Sequence, residues 1–169
     1  MLNRLRQFGR AMVAQPLNLQ EQYYICRLLN SAQQELFLAL PIYEQRHALN
    51  VCQTLARAGF GSDFELLQAA LLHDLGKRDP ITGYTISIWL KAVNVILVRL
   101  IGETGLSRLS SANLHHRWRY HIWLQITHEA RSAELAQKAG SSIRVVKLVS
   151  KNQQADPTAP LLKWADDLN

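Results

Sequence analysis

The stretch LLQAALLHDLGK, Leu66–Lys77, decides the fold. Leu67, Ala70, Leu71 and Asp74 recur at the three-to-four-residue spacing of one helical face, and Leu, Ala and Gln are good helix formers. Ser62 or Asp63 can cap this helix at its start, and Gly76 can end it near Leu75. Inside that apolar run stand His73 and Asp74, where two apolar residues would be cheaper to bury. The segment therefore reads as a core helix that carries polar groups into the interior.

The same periodicity extends outward. Val51, Leu55 and Ala58 continue a helical face over about Ile42–Ala58, and Gly59 and Gly61 separate it from the next helix. Further helices are expected ahead of Pro16, at about Leu19–Leu29 and Ala32–Leu38, and at about Ser87–Ile101. The remainder are expected at about Ala112–Thr127, Glu129–Ala139 and Ser142–Asn152, with a last one after Pro160. No run alternates as a half-buried strand does. The fold class is all-α, a compact helical array in a single domain.

Composition agrees with that reading. The chain has 169 residues, 48% hydrophobic and 19% charged, enough for one core without disulfide staples. Nineteen Lys and Arg against thirteen Asp and Glu give a net charge of +6, a balance that suits nucleotides, nucleic acid or an acidic membrane face. Cys26 and Cys52 form no CxxC pair, so both are expected as buried, reduced thiols of a cytoplasmic protein. Met1 leads into no apolar signal region. The stretch Ile86–Ile101, broken by Lys91, Asn94 and Arg99, is too short and too charged to span a membrane.

Two other segments set histidine or carboxylate among core residues: Arg46-His47 in RHALNV and Asp166-Asp167 in LLKWADDLN. Burying carboxylates beside histidines is costly unless they are paired or bind a metal. The order His47, then His73-Asp74 after 25 intervening residues, then Asp166 resembles the HD superfamily of metal-dependent phosphohydrolases. RHALNV is similar to the family's RHxxxV segment, AALLHDLGK to its AALLHDIGK motif, and WADD to its closing AD segment. The resemblance covers about Ile42 to the C-terminus. It implies an HD domain over residues 41–169, with residues 1–40 a helical extension packed on the core.

The resemblance also implies a ligand set, His47, His73, Asp74 and Asp166, for one divalent metal. Two imidazoles and two carboxylates suit manganese, iron, cobalt, nickel or zinc, and suit magnesium less well. Asp166 rather than Asp167 holds the position after alanine. Asp74 and Lys77 are the candidate catalytic residues. Lys77 can meet a phosphate or complement a helix C-terminus. Arg46 can bind substrate or form an ordinary salt bridge, and Asp79 can act as a general acid or simply shape the turn before Pro80.

Family members with two metals carry further histidines. THEARSAELAQKAG places His128 at the first of these, where it can contact substrate phosphate or a bridging water or serve as a structural histidine, but Glu129 and Ser132 replace the usual proline and glycine. The later histidine pair falls on Lys151-Asn152, which argues against a complete second metal site. The implied function is a phosphomonoesterase or phosphodiesterase acting on a nucleotide or other small phosphorylated compound. The alternatives are a binding or regulatory module without turnover, or nucleic-acid binding. NLHHRWRYHIW, residues 113–123, motivates the last: His115, His116, Arg117, Arg119 and His121 alternate with Trp118, Tyr120 and Trp123, a pattern that can bind single strands or mark an amphipathic helix. Arg4, Arg6 and Arg10 add a basic N-terminal face. Trp89, Val93, Ile96 and Leu97 can pack on the core or cover a homodimer contact.

Overall fold

A computed structural model describes residues 14–86, 88–150 and 156–169. Eight α-helices lie among them: α1 (Leu19–Leu28), α2 (Ser31–Leu38), α3 (Ile42–Leu55), α4 (Phe64–Leu72), α5 (Ile88–Leu109), α6 (Arg117–Lys138), α7 (Ile143–Val149) and α8 (Ala159–Leu168). The described residues contain no strand, and their one bridge pairs Arg78 with Thr85. No described helix is long and apolar enough to cross a membrane. The expected helix ahead of Pro16, and Arg4, Arg6 and Arg10, fall outside the described residues or on chain without regular structure at 14–18.

Local chemistry explains where the helices begin. Asn18 and Glu21 close a capping box on α1, and Asn30 and Gln33 close another on α2, each satisfying amides that the first turn would otherwise leave bare. Asp63, of the two residues expected at the start of α4, accepts the Leu66 amide at 3.1 Å. Ser142 does the same for α7. Pro160 sits in the first turn of α8, where its missing N–H has no partner to lose.

Four boundaries differ from the sequence reading. α3 stops at Leu55 and passes into a π-helical turn, Ala56–Phe60, that Gly59 closes at φ 99°. α4 ends at Leu72 rather than Leu75, with His73 as its C-cap. α5 runs on past Ile101, bending at Gly102 (φ 69°) instead of ending there. The two helices expected across residues 112–139 are one, α6, starting only at Arg117. Asn113 holds the preceding turn, its side chain accepting the His115 amide and its carbonyl the His116 amide. No glycine or proline interrupts residues 114–139.

Among the described residues a main hydrophobic core is joined by a small second cluster, Ile86, Tyr120 and Leu124. Ile25, Leu28 and Phe37 from α1 and α2 join Leu49, Cys52 and Leu55 of α3, Leu66–Leu72 of α4, Val145 and Leu148 of α7, and Leu162 and Ala165 of α8. α4 lies at the centre, against α3 on one side and α7 on the other, while α8 covers α3. α6 packs across the turn that follows α4. The thiols part company: Cys52 is buried, and burial pushes its pKa up to about 12. Cys26 lies exposed on α1, its Sγ 3.4 Å from Oε1 of the Gln34 side chain, and corrects the expectation that both are buried.

Candidate metal centre

Three elements that are distant in sequence deliver their polar groups to one place. α3 supplies His47, the end of α4 supplies His73 and Asp74, and the last helix supplies Asp166. His47, His73 and Asp166 each offer a ligand atom within 4.8 Å of the others. His47 Nε2 lies 2.8 Å from Asp166 Oδ1 and 3.7 Å from Asp74 Oδ2. His73 Nε2 lies 3.3 Å from Asp74 Oδ2 and 3.6 Å from Asp166 Oδ1. Asp74 is nearly sealed from solvent, whereas the Asp166 side chain is 44% exposed, so the group opens on the α8 side.

The tautomer of His73 follows from its partners. Nδ1 lies 2.8 Å from the Ala70 carbonyl oxygen, which can only accept, so Nδ1 carries the proton. Nε2 is thereby aimed at two carboxylates, and this buried atom has no hydrogen-bond partner. Lone pairs converging in this way repel unless a cation stands among them, either a proton on the ring or a metal ion. Burial opposes charge on His73, but the Asp74 and Asp166 carboxylates outweigh it and raise the ring's pKa well above its usual value. Burial likewise opposes charge on Asp74, yet His73, Lys77 and His47 hold its carboxyl well below the usual range. Desolvation is outweighed at Asp166 too, where the hydrogen bond with His47 and the nearby His73 ring lower the carboxyl. Two imidazole nitrogens and the Asp166 oxygen, with Asp74 Oδ2 beside both rings, form a donor set that could hold a metal ion.

Lys77 stands on the short 3-10 turn Leu75–Lys77. Its ammonium donates to Asp74 Oδ2 and lies 3.7 Å from Glu44 Oε2. Neither sequence reading of Lys77 anticipated this pair of buried carboxylates. Burial would lower its pKa, but Asp74, Glu44 and Asp166 raise it instead, and the lysine stays charged. His128 comes from α6 on the opposite side. Its Nδ1 lies 2.6 Å from the Gln125 carbonyl oxygen, leaving Nε2 to face Asp74 Oδ1 at 3.8 Å. Burial and then the Lys77 charge lower its pKa to about 4, so the ring is neutral at physiological pH.

The other candidates have different partners. Arg46 pairs with Glu21 and donates to the Gln15 and Pro16 carbonyls, which is the salt-bridge reading. Asp79 accepts the amides of Ile81 and Thr82 and the Tyr120 hydroxyl, the work of a turn residue. Asp167 is exposed. Lys151 and Asn152 lie outside the described residues, as do the side chains of Trp89, Val93 and Ile96. In the basic segment Tyr120, His121, Ile122 and Leu124 are buried while Arg117 and Trp118 are exposed, the pattern of an amphipathic helix.

Sequence reading missed Glu44 and the role of Ser132. Glu44 is 2% exposed and sits three residues before His47; an acid that close to a core histidine was the available signal. Ser132 accepts the buried Gly76 amide at 2.8 Å. A Cβ on Gly76 would stand 2.2 Å from the His128 carbonyl oxygen and 2.8 Å from Arg131 Cβ. Gly76 is thus needed for close approach of the turn to α6, rather than for ending α4. Comparison with protein families, curated proteins and solved structures finds no match to this chain.

Proposed function

We propose that the protein is an HD-type metal-dependent phosphohydrolase. Its substrate is a nucleotide or another small phosphorylated compound, and the bond cleaved is a phosphomonoester or phosphodiester. The observation that carries this reading is His73 Nε2, a buried ring nitrogen without a hydrogen bond, facing two carboxylates and a second imidazole. His47, His73, Asp74 and Asp166 would hold one divalent ion of manganese, iron, cobalt, nickel or zinc. When bound, such an ion supplies Lewis acidity toward water and toward a phosphate oxygen.

The remaining steps belong to side chains. The Ala70 and Gln125 carbonyls lock the rings of His73 and His128, so their Nε2 atoms need no reorientation. Neutral His128, beside Asp74, can accept a proton or a hydrogen bond from the incoming water. The Lys77 charge offsets the negative charge that accumulates in the transition state. The half-exposed Asp166 side marks where a phosphorylated substrate enters.

The test combines metal analysis of gently purified protein with a screen of phosphatase and phosphodiesterase substrates. Asp74→Ala removes a ligand outright. It is expected to weaken metal binding by more than the roughly 10–100-fold that loss of a supporting residue costs, and to abolish hydrolysis. Absence of any transition metal, or full activity in Asp74→Ala, refutes the proposal. Metal binding with nucleotide-induced thermal stabilisation but no turnover would make the protein a binding module instead.

A further inference from the structure

Glu44 is a buried carboxylate that the reaction just described does not use. Its side chain is 3% exposed, that of Asp74 2%, and the Lys77 side chain between them 14%. The two carboxylates come from separate elements, α3 and the turn after α4. Both approach the same ammonium, Asp74 through Oδ2 and Glu44 through Oε2 at 3.7 Å. Asp74 Oδ2 is the contested atom. It also faces His73 Nε2 at 3.3 Å and His47 Nε2 at 3.7 Å, so it points into the centre where a metal would take it as a ligand.

We infer that Glu44 is a positioning residue of the metal centre: by sharing the Lys77 ammonium with Asp74, it sets how much of Asp74 Oδ2 remains for a metal. This rests on the metal-centre reading above. A carboxylate oxygen that fully accepts from an ammonium is a poorer ligand, because the same lone pairs and charge serve both cations. Glu44 gives the ammonium a second buried partner, without which Lys77 would bind Asp74 alone. The placement of Glu44 one turn before His47, on the same helix, couples the lysine's position to that of a ligand. Through-space attraction of Glu44 for a metal would act whether or not Lys77 is present, and that difference makes the role measurable.

The experiment is a double-mutant cycle read as Mn²⁺ and Zn²⁺ affinity by calorimetry. Four full-length proteins are compared: wild type, Glu44→Gln, Lys77→Met and the double variant, each checked for native circular dichroism. Glu44→Gln keeps size and hydrogen bonding but removes the charge. It is expected to weaken metal binding about tenfold, within the range for residues that support ligands. In the Lys77→Met background the same change is expected to matter much less. Lys77→Gln serves as the second background if Lys77→Met does not fold. An equal loss in both backgrounds overturns the inference, because it would show that Glu44 acts by packing or by direct attraction. Wild-type affinity in Glu44→Gln also overturns it while leaving the metal centre intact, whereas failure of the wild type to bind either ion overturns both.

Discussion

Two regions of this molecule are rich in histidine, and only one of them gathers carboxylates around its rings. Around Asp74, His47, His73 and His128 converge on carboxylates from other elements. At the corner between α5 and α6, His115 and His116 are exposed beside Arg117 and Trp118, and residues 110–128 contain no Asp or Glu at all. The difference is not the histidines. His73 and His128 each commit Nδ1 to the carbonyl three residues earlier in their own helix, which fixes the ring and frees Nε2 to point inward. His115 and His116 precede the first turn of α6 and are not held this way. Converging acids and ring-locking carbonyls separate two histidine groups that composition alone cannot distinguish.

The largest effect should come from pushing the buried region apart. Gly76→Ala places a Cβ 2.2 Å from a backbone carbonyl oxygen, which no side-chain rotation relieves. The turn must move away from α6, straining the Gly76–Ser132 hydrogen bond and shifting His128 from Asp74. Overpacking of this kind costs about 3 kcal/mol, or roughly 6–12 °C in Tm for a domain of this size. Metal affinity should fall with it. A loss below about 1 kcal/mol in urea denaturation would show that the turn and α6 are not rigidly joined.

A smaller effect is expected where burial is intermediate. Arg144 clasps Asp63, Glu65 and Asp156 at 2.6–3.2 Å, and Asp63 also caps the helix that carries His73. The guanidinium is about a third exposed, so Arg144→Ala should cost about 1–2 kcal/mol rather than the roughly 3–5 kcal/mol of a sealed pair. Its hydrogen bonds lower the Asp156 carboxyl to about 2 and depress that of Asp63. Carboxyls depressed in the fold take up protons more readily once unfolded. The clasp's stability is therefore present above about pH 4 and lost as pH falls toward 2. Acid titration followed by circular dichroism should show this slope in the wild type and a flatter one in Arg144→Ala. Equal slopes would remove the clasp from the account.

Most of the framework was legible because it depends on local pattern. The apolar period through Leu67, Ala70 and Leu71 and the Asp63 cap define α4, and the motif segments single out His47, His73, Asp74 and Asp166, which the fold does bring together. What stayed hidden depends on contacts between distant segments. Glu44 matters only because Lys77 folds back onto it. Ser132 departs from a familiar glycine, yet its hydroxyl meets an amide 56 residues away. The helix expected to stop at about Ile101 instead bends at Gly102, whose φ is positive, and resumes. Local propensity says where helices can start; which turn closes against which helix is settled by packing.

The smallest effect belongs to the exposed corner, and it bears most directly on the contrast. Arg117 and Trp118 face solvent, and Arg119 gives one hydrogen bond, Nε to the Leu109 carbonyl at 2.9 Å. Replacing Arg117 and Arg119 together by alanine should therefore cost no more than about 1 kcal/mol, the worth of that one bond. Metal affinity and any phosphohydrolase activity should be unchanged, since no acid or ligand of the centre touches either guanidinium. If the corner binds nucleic acid, the same variant loses salt-dependent retention on single-stranded DNA or RNA while keeping its metal. Unchanged retention would leave the segment as a plain amphipathic helix. A fall in metal affinity would be more serious: it would mean that α6 transmits changes at its first turn to His128, and that the two histidine-rich regions are one.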